Sequence, residues 1–351
     1  MRLGIVVNDI NTEQAGYTTT GLAMNATNRG HQVWYIEIGQ FDYAPDQCVY
    51  ARALSNPVRK YRSNSVYLES LRGKSVQRER LAVSDLDILL LRNNPADDVL
   101  KRPWARLAGI NFGRLAMRHG VLVLNDPNGL SHAINKIYLQ YFPEVVRPQS
   151  LISRDKNEIR AFIDAHDGRA VLKPLAGSGG RNVFLVQPQD KPNINQMIEA
   201  VSTEGYVIAQ QYLPDAIHGD VRLFLMNGKP LCCKGRYAAF RRQRGQGDLD
   251  MRSNMTAGAR AVAVNVSQTM LELAAAVSPK LIEDGMFLVG LDIVNDKLME
   301  INVFSPGGLE STGKIEGCNF SREVIRALEQ KVEYLHEHPD GFDNTKIATL
   351  S

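Results

Sequence analysis

Gly290-Leu291-Asp292-Ile293-Val294-Asn295-Asp296-Lys297-Leu298-Met299-Glu300-Ile301-Asn302 reads as a β-hairpin that carries acids where an apolar strand should not. Val289, Leu291 and Ile293 on one arm and Leu298, Ile301 and Val303 on the other are strand formers, and Asn295-Asp296 is a turn signal. Glu300 and Asn302 are two apart and share one face. A loop running from Asn295 to Lys297 sets Asp292 opposite Glu300 on that face, so two carboxylates and an amide oxygen converge. Like charges opposed on a sheet repel, and a positive group is expected between them. Hard oxygen ligands suit Mg²⁺, which commonly rests on one or two carboxylates under substrate phosphates. Taken alone, the hairpin also fits a solvated polar face with incidental acids.

Outward from the hairpin, composition narrows the classes. The chain has 351 residues, 23% charged, with a formal net charge of +3. A chain of this length holds one to three domains, and its near-neutral charge offers no global field for nucleic acid or a membrane surface. No apolar run reaches the ~18 residues of a membrane span. Met1-Arg2-Leu3-Gly4-Ile5-Val6-Val7 has the pattern of a buried strand rather than a secretory signal. The cysteines (Cys48, Cys232, Cys233 and Cys318) show no metal-ligand spacing, and adjacent Cys232 and Cys233 do not pair easily. A reduced, cytoplasmic setting is expected.

Residues 2–7, 18–29 and 32–38 form a βαβ pattern, which implies a parallel sheet. Residues 86–91 and 121–124 add apolar strands around a helical stretch at 104–118, and the Arg-, Ser- and Lys-rich segment 51–80 reads as surface structure. A turn cluster at Asn125-Asp126-Pro127 marks a domain boundary. Beyond it lie a helix from Ser131 (as N-cap) to Leu139, a helix at 158–166, strands at 170–173 and 183–186, a helix at 193–203, and strands at 206–210, 221–226 and 231–236. Helices at 267–283 and 319–335 bracket the hairpin, and 336–351, with no clear period, is expected to be a mobile tail.

Val171-Leu172-Lys173-Pro174-Leu175-Ala176-Gly177-Ser178-Gly179-Gly180 ends an apolar strand on a lysine and continues into a glycine-rich loop. Backbone N–H groups in such a loop can close on phosphate oxygens, and lysine adds a point charge. The stretch matches neither the P-loop nor the dinucleotide fingerprint, so a flexible hairpin and a phosphate lid both fit it. Lys136 is a second cation, on a helix where a surface lysine is the plain alternative. Ala209-Gln210-Gln211-Tyr212-Leu213-Pro214 ends a strand at a proline and could offer its edge to a flat heterocycle. Asp220 and Arg222 share one strand face, as a cross-strand ion pair would. Lys234, Arg236, Arg241, Arg242, Arg244 and Arg252 crowd a glycine-containing loop, 234–252. It is either a solvated basic loop or a flap that closes over a polyanionic transition state.

Together these stretches resemble the ATP-grasp ligases, and among them the prokaryotic glutathione synthetases. The likeness runs in order through Leu3-Gly4-Ile5-Val6, Asp85 to Arg92, Asn135-Lys136, Leu172-Lys173-Pro174 with Gly177 to Gly180, Ala209-Gln210 with Tyr212-Leu213-Pro214, Gly219-Asp220 with Arg222, Asn254, Gly290 to Ile293, and Glu300 to Val303 with Ser305-Pro306. The resemblance implies an α/β chain built of an N-terminal parallel-sheet (pre-ATP-grasp) domain, 1–125, and a two-subdomain α+β ATP-grasp fold, 126–335. The lid subdomain would be 126–205 and the C-terminal subdomain 206–335.

It also implies roles. Lys136 and Lys173 would hold ATP phosphates under a lid of Gly177, Ser178, Gly179 and Gly180. Gln210, Gln211, Tyr212 and Leu213 would line the adenine pocket, with Asp220 near the nucleotide. Asp292, Glu300 and Asn302 would bind Mg²⁺, with Mn²⁺ as the alternative ion, while Arg222, Arg236 and Asn254 would steady an acyl-phosphate. Ser305, Gly307 and Gly308 would line the substrate site. The partners implied are small peptide or amino-acid substrates and, by resemblance alone, further copies of the chain in a dimer or tetramer.

Departures from that pattern fall in the substrate half. Asn93-Asn94-Pro95-Ala96 stands where the family usually has Lys-Asp-Pro-Pro, and Gly16-Tyr17-Thr18-Thr19-Thr20 where it has a Lys-Asp-Ser type of stretch. The basic loop is longer, and Ser305-Pro306-Gly307-Gly308-Leu309-Glu310 is closer to glutamate-adding ligases. The leading expectation is ligation of γ-glutamylcysteine to glycine by glutathione synthetase or a close paralogue. The same chemistry on another peptide or amino acid is the alternative. A non-catalytic ATP-binding module fits less well, because it has no need of three metal ligands. Asp292→Ala or Glu300→Ala is expected to abolish turnover while leaving the fold intact.

Overall fold

Leu3, Ile5, Val6 and Val7 are fully buried because β1 (Arg2–Val7) runs through the middle of a sheet covered on both faces. The computed structural model describes residues 1–99, 101–177, 180–243 and 260–351. The first sheet joins β1 to β2 (Gln32–Tyr43), β3 (Val49–Ser55), β4 (Gln77–Ala82), β5 (Ile88–Leu91) and β6 (Leu122–Leu124), in the order β4-β3-β2-β1-β5-β6. β2, β1, β5 and β6 are parallel. β3 and β4 add antiparallel strands at one edge, so 51–80 is sheet and helix rather than featureless surface, and the sheet is mixed. Arginines on an edge strand solvate one face and hide its period. Helices α1 (Thr18–Asn28), α2 (Asn64–Arg72), α3 (Pro95–Asp98) and α4 (Ala108–Met117) complete this part.

The helix expected at 131–139 is two pieces. α5 (Pro127–His132) starts one turn earlier, because the Asp126 carboxylate accepts the Asn128 and Gly129 N–H groups at 2.7 and 3.2 Å and Pro127 presets the first turn. Asn135 then caps a 3₁₀ segment, Lys136–Tyr141.

A second sheet holds β7 (Ser150–Ser153), β8 (Ala170–Pro174), β9 (Phe184–Val186) and β10 (Val207–Gln211), antiparallel in the order β7-β10-β8-β9. α6 (Lys156–Asp164) and α7 (Ile194–Ser202) pack on it through Ile159, Ile163, Ile198 and Val201.

The third sheet holds β11 (Asp220–Met226) and β12 (Lys229–Pro230), and a separate ribbon pairs β13 (Cys232–Cys233) with β14 (Arg236–Tyr237). This ribbon replaces the strand expected at 231–236, because Lys234 and Gly235 turn at positive φ. β15 (Ala239–Gln243) and β16 (Arg260–Val262), then α8 (Gln268–Glu283), β17 (Leu288–Val294) and β18 (Lys297–Asn302), finish an order of β16-β15-β11-β17-β18. Residues 239–243, expected to be loop, are a strand. α9 (Leu309–Glu316), α10 (Phe320–Glu337) and α11 (Asn344–Ala348) close the chain.

The expected mobile tail is ordered instead. Ile347 and Ala348 are buried, and Asn344 bonds both the N–H and the C=O of Val123, at 2.7 and 2.9 Å. Lys331 Nζ donates to the carbonyls of Ile347 and Leu350. A five-residue helix pinned by polar side chains leaves no apolar period to read.

Candidate active site

The face foreseen on the hairpin exists. Asp292 pairs with Glu300 and Gly290 with Asn302. The route to that register differs from the expected loop: the turn is only Asn295-Asp296, with Asn295 at φ 54°, and a bulge beyond Asp292 absorbs one extra residue. The shorter turn and the bulge offset one another, and the acids meet.

β11 and β15 extend this face. Arg222 is registered with Asp292, and Asp220 with Arg242. Alternate residues point away: Val221, Leu223, Leu291 and Ile293 enter the core. The result is a polar surface of Asp220, Arg222, Arg242, Asp292, Glu300 and Asn302 on an apolar sheet. Arg222 grips Asp292 with Nε and Nη2, and Arg242 reaches Asp292 at 2.6 Å and Asp220 at shorter range. Asp292 is only 3% exposed. Burial works against its charge, but Arg222 and Arg242 outweigh it and hold its carboxyl below the usual range. Burial likewise opposes the Arg242 charge, and Asp292 with Asp220 overcomes it.

Glu300 stands nearer the opening, its side chain 43% exposed, with Lys136 Nζ 3.1 Å away. The 3₁₀ segment packs on β18 and carries Lys136 there, and the same ammonium donates to Gly177 C=O at 2.8 Å. Lys173, on β8, donates to Gln210 Oε1 of β10 at 2.9 Å. Burial, helped by neighbouring Lys136, drops its pKa to about 8. Lys136, Lys173, Gly177, Glu300, Asn302, Ser305 and Asn94 line one cleft between the sheets. Gln211, Tyr212 and Leu213 lead out of β10 toward a 3₁₀ turn at Pro214–His218 and then Asp220.

The loop after β18 ties the site to the first sheet. Gly307 C=O accepts from Arg222 at 3.2 Å, and Pro306 C=O accepts from Arg92 at 3.0 Å. Gly308 has φ +104°, and a Cβ there would lie 2.5 Å from the Phe240 ring, so this turn admits only glycine.

Arg236 is not brought to this face. It sits on the β13–β14 ribbon, its side chain 62% exposed, paired with Glu316. The cation that stands on this face instead is Arg242, which composition had counted only among the loop cations. Asp220 and Arg222 on one strand face were the available signal, since a buried acid of that kind demands a cross-strand cation. Arg92, 4% exposed, reaches the same loop through the Pro306 carbonyl. Ser178, Gly179, Asn254 and residues 244–252 of the basic loop lie outside the described residues.

Asp292, Glu300 and Asn302 form an all-oxygen donor set suited to a hard cation. Asn302 donates its N–H to Asp292 at 3.2 Å, which turns the amide oxygen toward other partners. Among the described residues no group of three or more His, Cys, Asp or Glu is placed to hold a metal unaided. A Mg²⁺ here would complete its shell with water and phosphate oxygens, as that ion commonly does. Among the described residues, no helix is long and apolar enough to cross a membrane.

Comparison with known proteins agrees with this fold. The N-terminal domain of prokaryotic glutathione synthetases matches residues 1–131, and their ATP-grasp domain matches residues 135–317. The chain is 32% identical to the glutathione synthetase of Synechococcus elongatus over 336 residues, covering 95% of this chain and 99% of that one. It is 34% identical to that of Bradyrhizobium diazoefficiens over 320 residues, covering 90% and 93%. Two solved structures share the fold at low identity. A D-cycloserine synthetase has a TM-score of 0.63 at 14% identity, over 94% of this chain and 99% of that one. D-alanyl-alanine synthetase A from Vibrio cholerae has a TM-score of 0.56 at 13% identity, over 95% and 98%. ATP-grasp glutathione synthetases use ATP and a divalent metal ion to join small-molecule substrates. The chain belongs to the prokaryotic glutathione synthetase family and is an ATP-grasp ligase.

Proposed function

We propose that the protein joins the cysteinyl carboxylate of γ-glutamylcysteine to the amine of glycine through an acyl-phosphate, with ATP as phosphoryl donor and Mg²⁺ as the metal. The observation that carries this reading is the convergence of Lys136 and Lys173 with Glu300 and Asn302 on one cleft, with Asp292 opposite Glu300 in strand register behind it. A carboxylate resists amines because it has no leaving group. Its oxygen attacks the γ-phosphorus, the bond to ADP breaks, and an acyl-phosphate forms. The amine then attacks the acyl carbon, phosphate departs, and the ammonium proton passes to solvent.

Lys136 and Lys173 would grip the phosphates as the reacting groups align. Arg222 and Arg242 would offset charge on the transferring phosphoryl. Asp292, Glu300 and Asn302 would hold Mg²⁺, which neutralises phosphate charge when bound. Gln210 to Leu213 would seat the adenine, and the Gly177 loop would exclude water that otherwise hydrolyses the acyl-phosphate. Ser305, Gly307 and Gly308 would border the acyl group.

A second reading, ligation of another peptide or amino acid, is favoured by Asn94, Pro95 and Ala96 lining the cleft where the family pattern has a different stretch. ADP release with γ-glutamylcysteine plus glycine, compared with a panel of acids and amines, separates the two. Selective ADP release with the first pair supports the main reading, and its absence there alongside release with another pair replaces it.

A further inference from the structure

Lys136, which meets both Glu300 and Gly177, rides on a 3₁₀ segment, Lys136–Tyr141. Such a short, poorly bonded helix does not fix a side chain unaided. On one side the segment is tied to the glycine-rich loop: Lys136 N–H donates to Leu175 C=O at 3.0 Å, and its ammonium donates to Gly177 C=O at 2.8 Å. At three residues per turn, positions two apart face different ways. Lys136 therefore reaches the loop while Tyr138 packs into the core, 3% exposed. The Tyr138 hydroxyl donates to Asp284 Oδ2 at 2.7 Å, and its ring stands edge-on to Phe142 with centroids 5.1 Å apart.

We propose that Tyr138 and Asp284 are a positioning pair, whose bond anchors the 3₁₀ segment and so sets where Lys136 meets the ATP phosphates. This rests on the ligase reading, in which Lys136 grips phosphate, and names what aims that lysine.

Asp284 is an unfavourable residue where it stands. It is the C-cap of α8, where the helix dipole disfavours an anion. It is also 5% exposed, and a buried carboxylate without partners is costlier still. Besides Tyr138 it has Lys280 Nζ at 3.0 Å and His132 Nδ1 at 3.3 Å, both at Oδ1. One carboxylate oxygen is thus spent on α8 and α5, and the other serves the 3₁₀ segment.

The backbone at this corner leaves no slack. A Cβ at Gly129 would lie 1.9 Å from the Asp284 carbonyl oxygen, so α5 lies directly against the end of α8. Asp126 N–H donates to Gly285 C=O at 3.1 Å. β17, which carries Asp292, begins at Leu288 just beyond. The Tyr138 bond therefore runs from the segment of Lys136 to the root of the strand that presents Asp292, and it fixes the two halves of the site relative to one another.

The test uses the full-length protein and measures the Kd for a non-hydrolysable ATP analogue with Mg²⁺, by calorimetry, beside steady-state ADP release. Lys136→Ala should raise that Kd about 10–100-fold, the scale of a hydrogen bond to a charged group. Tyr138→Phe removes only the hydroxyl and should raise it about 3–30-fold, as coupled residues of one network do. The KM values for γ-glutamylcysteine and glycine should change less than about twofold, and the melting temperature should fall by no more than about 5 °C. In the Lys136→Ala background Tyr138→Phe should add almost nothing, because the group it aims is gone. His132→Ala takes one partner from Asp284 but none from the segment, and should leave the Kd unchanged. A wild-type Kd in Tyr138→Phe overturns the pairing and leaves the ligase reading standing. So does full additivity of Tyr138→Phe with Lys136→Ala, or an equal effect of Tyr138→Phe and His132→Ala, since either marks a merely structural role. A wild-type Kd in Lys136→Ala overturns the phosphate role of Lys136 as well.

Discussion

Asp292 and Glu300 face one another, yet their removal should have different consequences. Asp292 is 3% exposed, and its partners Arg222 and Arg242 have side chains only 7% and 12% exposed. In Asp292→Ala, Arg242 keeps Asp220, but Arg222 keeps only the Gly307 carbonyl at 3.2 Å. A buried guanidinium stripped of its carboxylate costs about 3–5 kcal/mol. At about 2–4 °C per kcal/mol for a unit of this size, the melting temperature should fall by on the order of 10 °C. Glu300 is 43% exposed and its partner Lys136 19%, so Glu300→Ala should cost about 0–1 kcal/mol and move the melting point little. Both variants should lose ADP release. Thermal unfolding by circular dichroism, run beside an ADP-release assay, reads both axes. From sequence alone Asp292→Ala is expected to leave the fold intact; the buried ion network adds that the fold should melt earlier. Equal melting points for the two variants would refute the reasoning, as would turnover retained by either.

Three other outcomes are expected. Burial lowers the Lys173 pKa to about 8 from 10.5, so the ammonium proposed to meet phosphate is lost as pH rises through that value; the Kd for a non-hydrolysable ATP analogue, by calorimetry, should weaken about tenfold from pH 7 to pH 9, and Lys173→Arg should flatten that dependence. Arg242→Met should cut kcat by at least about 100-fold, the scale of losing one fixed charge at a phosphoryl, whereas Arg236→Ala, on its exposed ribbon, should change kcat less than about twofold; the reverse ranking in steady-state assays would show that the wrong arginine has been placed at the site. Asn344→Ala strands the buried N–H and C=O of Val123 and should destabilise the protein by about 2–4 kcal/mol, with faster proteolysis after α10; unchanged denaturation and cleavage would mean that the tail is not pinned there.

The hairpin was legible because its chemistry conflicts with its environment. Strand formers flank acids at a spacing that puts them on one face, and such a conflict marks a site. β1, β5 and β6 were legible for the opposite reason, as continuous apolar runs that only a covered parallel sheet can bury. Segments that carry their partners as charges were not. In β15 the run Phe240-Arg241-Arg242 looks like part of a basic loop, because its stabilising contacts are carboxylates on β11 and β17, about 20 and 50 residues away along the chain. β3, β4 and α11 hide in the same manner: their anchors lie on other elements, and local periodicity carries no trace of them.

Arg242 owes its place beside Asp292 to strand register. A cation in a loop and a cation on a strand are chemically identical in the sequence; only register decides which one reaches the proposed phosphoryl site. Arg236 and Arg242 are six positions apart, and β15 pairs with β11 so that Arg242 falls beside Asp220 while Arg236 runs off beyond Ala239. The turn of Gly219 helps to enforce this register, since a Cβ there would strike the Arg242 carbonyl at 1.9 Å. Gly219→Ala should therefore damage turnover through Arg242 without altering any charged side chain. If Gly219→Ala retained the wild-type kcat, the close approach of the two backbones would not be what holds Arg242 over Asp292.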